Sequence, residues 1–282
     1  MRHLLTVTVG RLPPIDARLP RPSVMGVVNV TPDSFSDGGV NLRTEDAVAN
    51  ARRMIDEGAA IVDVGGESTR PGSGPVSIEE ELARVLPVLE EIGQELPVSI
   101  DTAKAEVARR AIALGAELVN DVTALRGDPR MADVVAGAGL YVCLMHMLGK
   151  PRTMQLDPRY DDVVDDVKAF LEERLRFAVE AGIAEDRICL DPGIGFGKTI
   201  EHNFELIRRL DELTALGRPL VVGFSRKSSL GKILGDPDAK TGPLPASIAA
   251  AVAAYERGAT ILRVHDVREH VEALTAARAV VG

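Results

Sequence analysis

Residues 24–30 read VMGVVNV, an apolar run without alternation that gives way to the polar, Gly-rich TPDSFSDGG at 31–39. Continuous apolarity of this kind suits a strand covered on both faces, as in a parallel sheet, better than a half-exposed one. The unit returns as AIVDVGG at 60–66, VSID at 98–101, LVNDV at 118–122, LYVCLMH at 140–146, ICLDPG at 188–193, LVVGFS at 220–225 and ILRVHDV at 261–267. Each run ends in polar or Gly-rich residues, and amphipathic stretches lie between them.

Those stretches carry helical signals. Val163, Val164, Val167, Phe170, Leu171, Leu175, Ala178 and Val179 have the three-and-four spacing of one buried stripe, closed by Gly182. Thr44-Glu45-Asp46 and Ser77-Ile78-Glu79-Glu80 put capping residues and acids where helices start, and Gly58, Gly93, Gly115 and Gly258 stop helices ahead of strands. Eight strand-helix units in 282 residues predict an α/β fold of the (β/α)8 TIM barrel class, whose typical length is about 250 residues. A doubly wound open sheet is the alternative. Residues 1–22, with Pro13, Pro14, Pro20 and Pro22, fit neither pattern. They are expected to form a short extended or hairpin-like cover over one mouth of a single barrel domain at 23–282.

Composition narrows the function. Hydrophobic residues make up 45% and aromatic residues 3%, with no Trp, so the core is mainly aliphatic. A net charge of -9 opposes any general affinity for nucleic acid or anionic lipid, and an anion site must be local. No apolar run approaches the roughly 20 residues of a membrane span, and the first residues lack a secretory pattern, so a cytoplasmic protein is expected. Cys143 and Cys189 lie in apolar runs without metal-ligand spacing and read as small buried hydrophobes.

In such a barrel the active site lies at the C-terminal ends of the strands. There the sequence places Asn29, Glu67-Ser68-Thr69-Arg70, Asp101, Asn120-Asp121, Met145-His146, Asp191, Ser225-Arg226-Lys227-Ser228 and Arg263-His265-Asp266. Single members have plain explanations: Asp101 as an N-cap, His265 as a structural histidine. Together they split into two chemical groups. Asp101, Asn120, Asp191 and Lys227 offer acceptors and donors for a flat, nitrogen-rich heterocycle. Arg70, Arg263 and His265 suit a phosphate, and Asn29 offers a carbonyl oxygen to a hard cation such as Mg2+. The loops TPDSFSDGG at 31–39 and ESTRPGSGP at 67–75 are expected to close over the site.

One tempting motif fails. DPGIGFGKT at 191–199 has Pro192 where a phosphate loop needs its first glycine, and Lys198 where the dinucleotide fingerprint needs its last. It reads as a strand end that aims Asp191 inward, turns on its glycines and presents Phe196, with Lys198 expected on the loop surface or at a helix start.

From Val24 onward the chain resembles the dihydropteroate synthases, on MGVVNVTPDSFSDGG, IVDVGGESTRPG, SIDT, VNDV, LMHM, DPGIGFGK, GFSRKS and RVHDV, all in order. The resemblance implies a (β/α)8 barrel and a transferase of folate biosynthesis, the target of sulfonamides. It implies condensation of 6-hydroxymethyl-7,8-dihydropterin diphosphate with para-aminobenzoate to 7,8-dihydropteroate and diphosphate, with Mg2+, and departure of diphosphate before the amine attacks. By motif position it gives Asp101, Asn120, Met145, Asp191, Lys227 and Arg263 to the pterin, Asn29 to the metal, and Asn29, Arg70, Arg263 and His265 to the diphosphate. Phe35, Thr69, Pro71, Phe196, Lys227 and Ser228 fall to para-aminobenzoate. Asp101, Asp191, Lys227, Arg263 and His265 are the implied catalytic set. A homodimer is also implied, with the small residues at 246–254 as a candidate surface. Ser73 and Phe224 depart from the family pattern, and Phe224 is expected to bear on packing near the pterin. The rival readings are a pterin-binding methyltransferase barrel, which has no need of ESTRPG, SRKS or RVHDV, and a non-catalytic pterin-binding paralogue, which would have lost lid or anion residues.

Overall fold

The computed structural model describes residues 12–31, 40–69 and 72–281. Eight parallel strands close into a barrel in chain order: β1 (Ser23–Asn29), β2 (Ile61–Gly65), β3 (Val98–Asp101), β4 (Leu118–Asp121), β5 (Tyr141–Met145), β6 (Ile188–Asp191), β7 (Leu220–Val222) and β8 (Ala259–Val264). Every repeated apolar run thus holds a strand, and β8 pairs with β1 to close the ring.

Helices α1 (Ile15–Arg18), α2 (Val40–Asp56), α3 (Ile78–Ile92), α4 (Ala105–Ala113), α5 (Met131–Ala138), α6 (Val163–Glu180), α7 (Ile200–Arg208), α8 (Ser228–Lys232), α9 (Leu244–Glu256) and α10 (Val267–Val281) occur among the described residues. Local chemistry explains several boundaries. Ser77 Oγ accepts the Glu80 N–H at 3.1 Å, and the Asp162 carboxylate accepts those of Val164 and Asp165 at 2.8 and 3.1 Å, satisfying N–H groups that have no partner inside the helix. Behind α4, Gly115 at φ +114° passes so close to Gly93 that a Cβ would lie 2.0 Å from the Gly93 oxygen. Only glycine fits there.

Two helix expectations are corrected. Helix α2 begins at Val40, ahead of Thr44, because no residue at 40–43 is a helix breaker. Val179 is 39% exposed; the buried face of α6 is Val163, Val164, Val167, Leu171 and Ala178, joined by the buried Arg174.

Strand side chains alternate between two cores. Outward residues such as Val28, Val62, Ile100, Val119, Leu144, Leu190 and Leu262 pack against the helices. Inward, Met25, Ile61, Leu118, Tyr141, Cys143, Cys189, Val221 and Ile261 fill the lower, N-terminal half. Cys143 and Cys189 are buried register partners and remain free thiols.

Ile15 and Leu19 complete that lower core. The expected cover is therefore present at the mouth opposite the polar strand ends, but its described part is a helical turn rather than an extended strand or hairpin; residues 1–11 lie outside the described residues. Pro14 supplies the first carbonyl of that turn, accepting from Ala17 and Arg18 at 3.1 and 3.0 Å. Tyr141 Oη donates to the Pro13 oxygen at 2.7 Å, and Arg18 Nε donates to Glu117 at 3.2 Å.

Candidate active site

The upper half of the same barrel interior is charged. Two residues up from Ile61, Ser99, Leu118, Cys189 and Ile261 stand Asp63, Asp101, Asn120, Asp191 and Arg263, so one periodicity turns all five inward. Arg263 Nε donates to Asp63 Oδ2 at 2.7 Å, and its Nη2 donates to Asp101 Oδ2 at 2.8 Å. Asn120 Nδ2 donates to the same Asp63 oxygen at 2.9 Å. That bond orients the amide and leaves its carbonyl oxygen to a ligand. One cavity is lined by Thr69, Asp101, Asn120, Val122, Met145, Asp191, Gly193, Ile194, Phe196, Gly223, Lys227 and Arg263. The pterin set inferred from sequence is therefore assembled complete. Asp101 points at Arg263; the helix-capping alternative fails, since the N-cap of α4 is Lys104 and Thr102 Oγ1 takes the Lys104 N–H.

Burial dominates the electrostatics. It raises the Asp101 carboxyl to about 7 against the pull of Arg263, and Asp191 to about 6 against the Gly193 N–H at 2.7 Å and the cations Arg263, Lys227 and Lys198. Burial works to lower the Arg263 pKa, but Asp63 and Asp101 outweigh it and hold the guanidinium charged. The result is a charged guanidinium in a site where two carboxyls, Asp101 and Asp191, titrate close to neutrality.

His265 lies at the rim beside Ser225, whose Oγ accepts the His265 backbone N–H at 3.2 Å and meets Nδ1 at 3.2 Å. Burial, then Arg263, Arg226 and Lys227, lower its pKa to about 3, so the ring is neutral. With Ser225 donating to Nδ1, Nε2–H is left to donate to an anion. Arg226, at φ +57°, is fixed by Asp266, with Nε at 3.0 Å from Oδ2. Asn29 ends β1 opposite Gly65, which in turn pairs with Asp101. Neither Asn29 nor His265 lines the cavity.

Of the para-aminobenzoate set, Thr69, Phe196 and Lys227 line the cavity, with Lys227 Nζ 4.4 Å from the Phe196 ring centroid. Ser228 begins α8 directly after Lys227. Phe35, Arg70 and Pro71 lie outside the described residues. Glu67 turns away from the cavity, to Lys104, which also pairs with the buried Glu81 beneath loop 67–77. Ser73 Oγ donates to the Ser68 oxygen at 2.5 Å across that loop.

Three residues depart in whole or part from the sequence reading. Phe224 does not line the cavity where the sequence reading expected it to bear on the pterin: Gly223 takes the cavity-facing place, and the Phe224 ring points outward to Phe204 on α7, centroids 5.4 Å apart. Lys198 stands at a helix start, directly ahead of the α7 N-cap Thr199, but it is not on the loop surface: it is 2% exposed, with Nζ bonded to His146 Nδ1, the Gly193 oxygen and the Phe196 oxygen at 2.8, 2.9 and 3.1 Å. Gly193, Gly195 and Gly197, all at positive φ, coil the chain until Lys198 lies beneath its own turn. Asp63, fully buried, was missed. Its signal was a carboxylate at an inward position of an otherwise apolar run.

A sequence profile described as pterin binding enzyme matches residues 25–265. The dihydropteroate synthase of Escherichia coli K12 is 50% identical over 261 residues, covering 91% of this chain and 90% of that protein. A Xanthomonas albilineans dihydropteroate synthase solved with 4-aminobenzoic acid superposes with a TM-score of 0.86 at 49% identity, covering 94% of each chain. The same species' enzyme in complex with 7,8-dihydropteroate gives a TM-score of 0.83 at 47% identity, covering 94% of this chain and 95% of that one.

Proposed function

The chain belongs to the pterin-binding enzyme family and, within it, to the dihydropteroate synthases; on that premise we propose that it condenses 6-hydroxymethyl-7,8-dihydropterin diphosphate with para-aminobenzoate. The observation that carries the reading is the convergence of Asp101, Asn120, Asp191, Lys227 and Arg263 on one cavity walled by Phe196. A pterin edge presents ring N–H and amino donors beside acceptors. Asp101 and Asp191 would accept from it, while Asn120 and Lys227 offer the complementary groups.

In this reading the bond between the pterin methylene carbon and the diphosphate oxygen breaks, its electron pair leaving on oxygen. The amine nitrogen then supplies the pair for the new C–N bond and releases a proton. Asp101 and Asp191 stabilise the positive charge that spreads into the pterin ring, and His265 and Arg263 serve the departing anion. Phe196 and the Lys227 stem wall the aryl subsite and exclude water from the cation. Arg70, Phe35 and Pro71 are assigned to the closing loops by motif position.

The donor set fits Mg2+ of a particular kind. Among the described residues no group of three His, Cys, Asp or Glu side chains is placed to hold a metal, and Asn29 offers one neutral amide oxygen at the end of β1. One protein oxygen suits an ion carried mainly by phosphate oxygens and water. Mg2+ bound there would neutralise charge on the leaving diphosphate.

A homodimer and a cytoplasmic location belong to the same proposal. Among the described residues no helix is long and apolar enough to cross a membrane. Ala250, Ala251 and Ala254 are buried in this chain's own core, so a partner would meet the opposite stripe of α9, with Ile248, Ala249 and Val252. Light scattering at the monomer mass would refute the dimer.

Purified protein with Mg2+ and the pterin diphosphate is expected to release diphosphate and form an adduct only when para-aminobenzoate or a sulfonamide is added. No dihydropteroate under those conditions overturns the reading.

A further inference from the structure

Lys198 is a buried cation that the reaction does not use. All three of its N–H bonds are spent: one on His146 Nδ1, which extends β5, and two on the Gly193 and Phe196 carbonyls. An ammonium only donates, so His146 receives it through an unprotonated Nδ1. The turn it grips carries three functions. The Gly193 N–H holds Asp191 Oδ1 at 2.7 Å, Gly193 and Ile194 line the pterin cavity, and Phe196 carries Lys227 on its ring. The turn lies tight against the end of β5: a Cβ on Gly193 would come within 1.9 Å of the His146 oxygen. From behind, Tyr160 Oη donates to the Gly197 oxygen at 2.7 Å, and the Tyr160 ring packs edge-on to His202.

We propose that Lys198 is a positioning residue for the pterin subsite, pinning turn 193–196 to β5, and with it the Gly193 N–H that holds Asp191, while adding a positive charge to the same wall. This rests on the reading that Asp191 receives the pterin. The charges around Asp191 are Arg263 from β8, Lys227 from the loop after β7 and Lys198. Those around Lys198 are Asp191 and Lys227, with the neutral His146 in direct contact and His202 beyond it. His146 is held neutral by burial, then by Lys198 and Arg126. Burial also lowers Lys198, to about 7, so at the acid side of neutrality it carries its proton.

The test compares K198M, K198Q and K198R with wild type, measuring kcat and KM for both substrates across pH. K198M removes both clamp and charge. Its KM for the pterin substrate is expected to rise about 10-fold or more, as a misplaced binding wall does. The acid limb of kcat/KM is expected to move to higher pH, since one of the cations that favour the ionised Asp191 is gone. K198Q keeps two N–H donors without the charge, so the limb moves as in K198M while KM rises less. K198R restores the charge and returns the limb to its wild-type place. A merely structural lysine would lower the melting temperature without moving the limb. If K198Q and K198M, or K198Q alone where K198M fails to fold, keep the wild-type limb and KM, the clamp is overturned while the activity stands. If wild type itself makes no dihydropteroate, the functional reading falls and the clamp with it.

Discussion

The two halves of the barrel interior are built on the same eight strands and differ in one step of the side-chain alternation. Below, Ile61, Leu118, Cys189 and Ile261 meet Ile15 and Leu19 of the N-terminal turn in a largely apolar layer that also holds the buried Ser99, whose Oγ has no partner among the described residues. Two residues further up, Asp63, Asn120, Asp191 and Arg263 stand over them; Arg263 and Asn120 donate to Asp63 at 2.7 and 2.9 Å and Arg263 also holds Asp101 at 2.8 Å, leaving Asp63 Oδ1 without a partner among the described residues. An orphaned buried acceptor opposes stability. The lower half is arranged to hold the ring shut, and the upper half tolerates strained electrostatics because its charges await a ligand.

The largest expected effect comes from breaking the upper network at its cation. R263M leaves Asp63 and Asp101 buried without their shared partner, a loss of about 3–5 kcal/mol typical of a broken buried ion pair. Denaturant unfolding reads the loss, and catalysis is expected to vanish with it. L118A, one step below Asn120, should cost a comparable ~2–5 kcal/mol by opening a cavity. Its kcat/KM at a temperature where it stays folded should match wild type. An L118A protein that is stable but inactive would break the division between the halves. D101N is milder: the Asn keeps one acceptor oxygen, and calorimetry with a pterin lacking the diphosphate should show a loss near 1.5–3 kcal/mol, the range for a hydrogen bond to a charged group. An unchanged affinity would remove Asp101 from the pterin set.

Much of this division was legible in the sequence because both signals are local. Apolar runs without alternation mark strands buried on both faces, and the polar residue closing each run marks its upper end, so Asp101, Asn120 and Asp191 could be placed before any coordinates. What stayed hidden depends on contacts distant in the chain. Asp63 lies inside its run and is explained by Asn120 and Arg263, 57 and 200 residues later. Lys198 follows three glycines that read as open loop, and its burial follows from positive φ values, which residue type permits but does not dictate. Phe224 went astray by a single step of alternation, next to Gly223, which takes the cavity-facing place. The helical turn at Ile15 was obscured by flanking prolines that suggested extended chain. Phe35, Arg70 and Pro71 rest on the motif alone, outside the described residues.

The smallest effect is graded with pH and runs in opposite directions for binding and for stability. Asp191 is raised from 3.8 to about 6 by burial. Below that value the carboxyl is protonated and loses an acceptor for the pterin, so affinity should fall roughly tenfold per unit as pH drops below 6. For the ligand-free fold the sign reverses. Between about 4 and 6 the native chain holds a proton that the unfolded chain has released, so stability is greatest at the acid end and declines as pH rises through the window. Asp101, raised to about 7, extends the decline toward neutrality. D191N should flatten the lower part of this slope and leave the upper part, which melting curves at pH 4, 5, 6 and 7 would resolve. Because Leu118 packs among the apolar side chains of the lower core, L118A should shift all four melting points by a similar amount. Parallel curves for D191N and wild type would show that the Asp191 carboxylate carries no burial cost, and with it the electrostatic contrast between the two halves would go.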